Sequence, residues 1–516
     1  MSDGRGAAGA ESRWDGGDSG APCPKQQPSA NVAHSEAGIF SILSQYAVMQ
    51  VVLAFTGVIR NKVVAFRLGP TAFGEISQIA AVTAVMVTLV TFGMGVSLSR
   101  NAAKCRTLEE RQEQLANANG MVLCFSCVAV LGALLFLASG HLLTLVGLKQ
   151  EPTMVLAAVL FIAAVPFEGL KNNYLALLQG TLDIKGLAIG RSVAVLLATV
   201  IAVPVVWFFG FVGAAIQFFL LSVFVAVLLG WRCRSIGYAP LRLRLDRSKI
   251  LLLASFGIVS LVSGFSQGLA DTAVRTSLIE RLGATANGLL QAPYVLAVTV
   301  KGIVLASIGS VSLATIAPKT DRREISNAID RLLNVVIPVG TAALGLLGLL
   351  GVPAMLLLYS SAFTSSAMFF PYVLSADLLL VFVWVIGAPL LAKGDRVLWL
   401  LLDLFHAAAR WGLALLLMRR LGSYAVVVGY LIAVAVHVSL NLAIYRFRYQ
   451  LQLSPKHVSR VLFGLALVGL LSLAGARPTA SLLATSAAAM SWLAYILYHA
   501  RQGGLLLPVQ RRLQRR

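Results

Sequence analysis

Lys301 stands in the middle of the run AVTVKGIVLAS, with no other charge beside it. A cation that deep in an apolar segment is a functional-site hypothesis by default, because hydrocarbon penalises uncompensated charge. Asp403, His406 and Arg410 follow at i, i+3 and i+7, which puts them on one face of a helix. That face suits a buried structural network as well as a site. Asp271 and Arg275 are one turn apart, the spacing of a local ion pair. Asp377 is a lone carboxylate in an apolar run, the group type that couples a proton or a sodium ion. Arg60 and Lys62 lie near the end of the first long apolar run, where reaching to headgroups is the alternative use. This inventory supports binding and ion coupling rather than covalent chemistry. The chain has no GxxxxGK[ST] for ATP, no metal-ligand spacing and no catalytic constellation. Cys124 and Cys127 form a CxxC without a second pair, inside an apolar run where small residues serve helix packing. No cofactor is expected.

The elements that position these residues are membrane spans. Of 516 residues 58% are hydrophobic and 12% charged, whereas a soluble domain carries about 25% charged residues. That composition excludes a soluble enzyme, a disordered scaffold and a secreted disulfide module. Apolar runs long enough to cross ~30 Å of hydrocarbon fall at about 39–65, 75–98, 115–137, 153–178, 187–208, 210–230, 250–279, 287–313, 332–357, 368–391, 397–418, 424–445, 458–476 and 480–499. The spacing predicts an all-α polytopic membrane protein of about 14 transmembrane helices. Between the fifth and sixth spans, Trp207–Phe211 must hold a very tight turn. Glu168 and Lys171 fall at the inner end of the fourth span, as a gate or a solvated terminus.

With both termini cytoplasmic, inner segments hold 31 Lys and Arg and outer segments 9. This asymmetry is the usual signature of orientation, and it accounts for the net charge of +21 without a nucleic-acid partner. Residues 66–74 read FRLGPTAFG and 280–288 read ERLGATANG, six identities in nine. Both follow one apolar run and precede another, which predicts a duplicated six-helix unit related by an axis along the membrane normal. The organisation expected is a disordered cytoplasmic tail at 1–36, an N-lobe of spans 1–6 at 37–231, a basic cytoplasmic linker at 232–249, a C-lobe of spans 7–12 at 250–446, spans 13 and 14 at 447–500, and a basic cytoplasmic tail at 501–516.

The stretch Arg67–Gly74, with Phe92-Gly93-Met94-Gly95-Val96-Ser97-Leu98-Ser99-Arg100-Asn101 at the far end of the next run, resembles the first hairpin of Wzx-type polysaccharide and O-antigen flippases. These belong to the multidrug/oligosaccharidyl-lipid/polysaccharide exporter superfamily. The resemblance implies a cavity between two lobes, opening alternately to either side of the bacterial inner membrane, and a cargo of polyprenyl-diphosphate-linked oligosaccharide. It also implies a place beside the polymerase machinery of surface polysaccharide synthesis. Such a cargo brings a diphosphate across hydrocarbon, and fixed cations are the direct way to compensate it, the arginine fork above all. Lys301, Arg60, Arg275 and Arg410 are the cations available, with Asp377, Asp271 and Asp403 for ion coupling. Arg60 and Arg275 stand at nearly equivalent places in the repeat and could clamp a diphosphate from both lobes. A cation-coupled multidrug exporter of the same superfamily and a membrane-embedded cell-wall enzyme are the alternatives, the latter disfavoured by short outer loops.

The charge asymmetry sets a test of topology. Single cysteines placed in the 232–249 linker and the C-terminal tail should resist an impermeant thiol reagent in intact cells, and labelling at either place would refute the orientation.

Overall fold

The computed structural model describes residues 36–105, 107–316, 321–477, 487 and 489–496. The two tails expected at the termini, and most of the fourteenth span, lie outside the described residues. The chain divides into a unit Met1–Ile42, whose described part is helical, and a unit Leu43–Arg516 that holds everything below.

Among the described residues every regular element is helical. The N-terminal half runs α1 (Glu36–Thr91), α2 (Met94–Lys104), α3 (Leu108–Ala138), α4 (His141–Leu145), α5 (Pro152–Gly180) and α6 (Ile184–Ser235). The C-terminal half runs α7 (Arg247–Leu282), α8 (Ala284–Ile316), α9 (Arg322–Leu349), α10 (Gly351–Leu358), a 3-10 stretch Ser361–Phe369, α11 (Phe370–Ile386), α12 (Ala388–Lys393), α13 (Arg396–Leu421), α14 (Tyr424–Phe447) and α15 (Pro455–Ala476).

Among the described residues ten helices are long and apolar enough to cross a membrane, and eleven if the bent α7 counts as one span. Two of them exceed one crossing. The apolar part of α1 has 44 residues and α6 has 52, roughly 66 and 78 Å of straight helix at about 1.5 Å per residue. Each is broken at one glycine. Gly69 has φ 76° and ψ −178°, and Gly210 has φ 55° and ψ −124°. At Gly210 the chain doubles back, since a Cβ on Gly213 would lie 2.3 Å from the carbonyl oxygen of Val205. The tight turn expected across Trp207–Phe211 is therefore present. A left-handed φ costs an ordinary side chain, and glycine removes that cost.

Within the N-terminal half α5 packs on α2, α3 and α6, and within the C-terminal half α11 packs on α8, α9, α14 and α15. The segment Ser361–Leu390, which contains α11, has 83% of its apolar window buried, the highest share of any described span. It is the axis of that half, and Asp377 lies on it. Between the halves, residues 239–246 lie against the polar start of α3. Gln112 exchanges two hydrogen bonds with the backbone of Ala239 (2.7 and 3.0 Å), Asn119 donates to the carbonyl of Pro240 (2.8 Å), and Asn117 accepts from the backbone of Asp246 (2.7 Å). Those buried amides on α3 are thus satisfied by the connection. The Asp246 side chain caps α7 through Ser248, and these hydrogen bonds hold its carboxyl below the usual range.

The repeated motif forms the seam between the halves. Thr71 and Thr285, 214 residues apart, share a hydrogen bond of 2.7 Å. A Cβ on Gly74 would lie 2.1 Å from the carbonyl oxygen of Ala284, and one on Gly288 would lie 1.8 Å from that of Pro70. Two helix backbones meet there with no room for a methyl group. The position at which the copies differ, Phe73 against Asn287, is used differently in each. Phe73 packs edge-on against Tyr359 and Phe363, both with centroids 5.6 Å away. Asn287 donates to the carbonyl of Gly74 at 2.8 Å. Lys62 adds a hydrogen bond of 2.7 Å to the carbonyl of Leu357, in the last turn of α10, where a cation meets the negative end of the helix.

This seam predicts a lock. In a background without native cysteines, Thr71→Cys with Thr285→Cys should oxidise readily, and transport should return on reduction. Adding Gly288→Ala should slow cross-linking by roughly tenfold or more, since overpacking costs about 1–3 kcal/mol. Equal cross-linking with and without the methyl would refute the close approach.

Candidate functional site

Hydrocarbon decides how the intramembrane charges are arranged, and in the C-terminal half they are paired. Lys301 of α8 donates to Asp377 Oδ1 of α11 at 2.6 Å, and the Tyr430 hydroxyl of α14 donates to the same oxygen at 2.7 Å. Asp271 of α7 bridges Arg275 on its own helix (2.6 Å) and Arg410 on α13 (2.5 Å). The Arg410 guanidinium lies over the rings of Tyr430 and Tyr294, at 5.2 and 5.9 Å from their centroids. The two tyrosines therefore join the Asp271 cluster to the Asp377 cluster. Five of the charged residues singled out in the sequence form one connected group: Lys301, Arg275, Arg410, Asp271 and Asp377.

Asp377 is not the lone carboxylate that its surroundings in the sequence suggest. The partner comes from a helix 76 residues away, a distance at which no local spacing signals it. The expected i,i+4 pair of Asp271 with Arg275 is present, and Arg410 shares it. Asp403 stands apart from this pairing. Its carboxylate accepts from Ser263 at 2.5 Å, while Gln267 donates to its backbone carbonyl at 2.9 Å and lies 3.3 Å from His406 Nδ1. His406 in turn meets His437, with ring centroids 5.1 Å apart. The face of Asp403, His406 and Arg410 thus turns inward as its periodicity requires, with Asp403 and Arg410 serving different partners.

Arg60 is not brought into this group. It donates to Thr199 Oγ1 of α6 at 2.9 Å, inside the N-terminal half. Arg275 reaches the other half instead, donating to the backbone carbonyl of Ser77 at 3.2 Å. The symmetric clamp that the repeat suggests is replaced by an asymmetric arrangement, in which the Arg275 cluster touches the seam directly. Glu168 and Lys171 lie in the second half of α5, paired with each other, and Glu168 accepts from the Ser222 hydroxyl at 2.7 Å. Cys124 and Cys127 are free and exposed on α3 rather than packed. Among the described residues no group of three or more His, Cys, Asp or Glu could hold a metal ion.

Sequence reading missed Tyr294, Tyr430, Ser263 and Gln267. Their signal is weak: a tyrosine or glutamine inside a span needs a partner for its polar end, but the type alone does not name it. Exposure separates the roles. The side chains of Lys301, Arg275, Arg410 and Asp271 keep 15, 17, 14 and 25%, so a ligand can reach them. Asp377 keeps 1%, and its Oδ2 has no hydrogen-bond partner.

The structure is thus a helical membrane protein whose halves meet at a repeated motif, with a connected charged group inside the C-terminal half. The chain belongs to the polysaccharide biosynthesis protein family, whose model matches residues 40–317. Its fold is shared by proteins of known structure. It is similar to the lipid II flippase MurJ in an inward closed conformation (12% identity, 90% of this chain and 99% of that one, TM-score 0.67). It is also similar to a multidrug resistance MATE family transporter in an inward-facing conformation (18% identity, 78% and 98%, TM-score 0.63). A third likeness is to a MOP superfamily transporter from Pyrococcus furiosus described by the reverse polarity of its binding pocket (15% identity, 83% and 99%, TM-score 0.59). Comparison with curated proteins returns no match.

The buried pair sets a stability test. Removing one member of such a pair strands a charge and costs about 3–5 kcal/mol, whereas replacing both is far milder. Asp377→Leu should lower the unfolding temperature of the purified protein markedly, and Asp377→Leu with Lys301→Met should recover most of the loss. Additive losses would show that the two side chains do not meet.

Proposed function

We propose that this protein flips a polyprenyl-diphosphate-linked oligosaccharide from the cytoplasmic to the outer leaflet of a bacterial inner membrane, by alternating access between its two six-span lobes. The cargo serves surface polysaccharide synthesis, such as O-antigen or exopolysaccharide. The observation that carries this reading is the charge of the connected group: three cations, Lys301, Arg275 and Arg410, against two carboxylates, Asp271 and Asp377. One positive charge is left over in a low-dielectric setting, where it attracts an anion strongly. A diphosphate needs such compensation to enter hydrocarbon, and a cationic drug would be repelled. The family membership and the likeness to a lipid II flippase support the same cargo class. No catalytic chemistry is required for this step.

In the proposed cycle, Lys301, Arg275 and Arg410 meet the diphosphate, while Arg60 serves from the N-terminal half as a further cation. Asp271 holds the two arginines in place between cargoes, and Asp403 is a reserve acid for ion coupling. The seam at Thr71, Gly74, Thr285 and Gly288 closes the outward side when the inward side is open.

Loss of the protein should leave lipid-linked repeat units on the cytoplasmic leaflet, with little polysaccharide at the surface. In a complemented deletion strain, Lys301→Met should abolish surface polysaccharide beyond what any fall in protein level explains, and Lys301→Arg should retain part of it. Arg60→Ala should do less than Arg275→Ala, since only Arg275 belongs to the connected group. Normal polysaccharide combined with raised sensitivity to cationic dyes would replace this reading with multidrug export.

A further inference from the structure

Between α6 and α7 the chain reads Leu241-Arg242-Leu243-Arg244-Leu245. The three leucines lie outside every helix, yet 79, 51 and 61% of their surface is exposed. The segment is not loose. The amides of Gln112, Asn117 and Asn119 pin it to α3, and the Arg244 backbone N–H donates to the carbonyl of Ala116 at 3.1 Å. Leucines held in this way against water carry a standing hydrophobic penalty, which a neighbouring apolar layer would remove.

The neighbour is indicated by α3. Its residues Glu113, Ala116, Asn117 and Gly120 meet the strap, and a Cβ on Gly120 would lie 2.2 Å from the Arg244 carbonyl oxygen. Continued by three and four residues, the same face carries Cys124, Val128, Leu131 and Leu135, all exposed as lipid-facing residues are. The strap therefore stands where lipid would otherwise cover the first turns of that face. With 31 residues, α3 is roughly 46 Å long, about 16 Å more than the hydrocarbon layer. Gly120 is about 18 Å from the start of α3, so the strap crosses the helix at the headgroup boundary. Trp231, in the last turns of α6 and 66% exposed, is the residue type that settles at that level.

The charges suit a negative surface. Arg242 and Arg247 are exposed, while Arg244 and Lys249 lie 2.7 and 3.9 Å from Glu113. The one acid of the strap, Asp246, is engaged in capping α7. Glu109 and Glu110 stand in the first turn of α3, before the residues that the strap covers. We propose that residues 241–249 are a docking strap for anionic phospholipid. Leu241, Leu243 and Leu245 enter the boundary between headgroups and acyl chains, and Arg242, Arg247 and Lys249 take the lipid phosphates. The occupant is the leaflet beside the linker and not the cargo, so this proposal stands apart from the diphosphate reading.

The test reconstitutes the full-length protein, without native cysteines and spin-labelled at Leu243→Cys, into two kinds of vesicle. One is phosphatidylcholine alone, the other an equal mixture of phosphatidylcholine and phosphatidylglycerol. Relaxation of the label by oxygen, which partitions into lipid, is compared with relaxation by a water-soluble nickel chelate. In the mixed vesicles the oxygen effect should dominate. The ratio should fall several-fold in phosphatidylcholine alone, and as far when Arg242→Gln, Arg247→Gln and Lys249→Gln are combined. The comparison of the two vesicles stands even if the triple variant does not fold. A label relaxed mainly by nickel in both vesicles would place the strap in water and overturn the proposal. A ratio equal in the two vesicles, or unchanged by the triple variant, would overturn the headgroup contact. If inorganic pyrophosphate at constant ionic strength lowers the ratio in the mixed vesicles, the cations belong to a soluble diphosphate and the proposal fails.

Discussion

Two intramembrane carboxylates, Asp377 buried and Asp271 half-buried, hold the C-terminal half together. Asp271 ties α7 to α13 through Arg410, and Asp377 ties α8, α11 and α14 through Lys301 and Tyr430. In hydrocarbon a single charge is far more costly than a pair, so each acid fixes the neighbours that supply its partners. Helix–helix association in a bilayer has no hydrophobic drive of its own, and polar contacts of this kind take its place. Five helices are thereby given mutual registers that apolar packing alone would leave loose.

The seam between the halves is made differently. Its contacts are a pair of glycine-lined backbones, a threonine pair and a phenylalanine edge, with the amide of Asn287 across it. None of these is a buried ion pair, so parting them strands no charge. Arg275 touches the seam only through the backbone carbonyl of Ser77. The chain therefore keeps this seam free of buried ion pairs and so electrically cheap to open. That division suits a molecule whose halves rock while the charged group stays assembled.

Much of the fold was legible in the sequence because its cause is local. Span positions follow from apolar length, and the turn in Trp207–Phe211 follows from having too little chain for anything but a glycine reversal. The repeat was legible as text, and its place at the seam was not, since a repeat does not say which faces meet. For the site, Asp271 with Arg275 was readable from one-turn spacing. Asp377 with Lys301 was not, because the pairing depends on how α8 lies against α11. Arg60 shows the limit of symmetry arguments: its counterpart Arg275 has an acid one turn away, while Arg60 has Thr199 of another helix.

Thr71 touches Thr285, and Gly74 lies against Gly288. Each residue meets its own equivalent, as at the two-fold axis of a symmetric homodimer. The seam therefore follows the packing rule of a symmetric dimer: bulk added at one position must be matched by bulk removed at its twin. Phe73 and Asn287 show where the two copies depart from that symmetry, one carrying a ring and the other an amide.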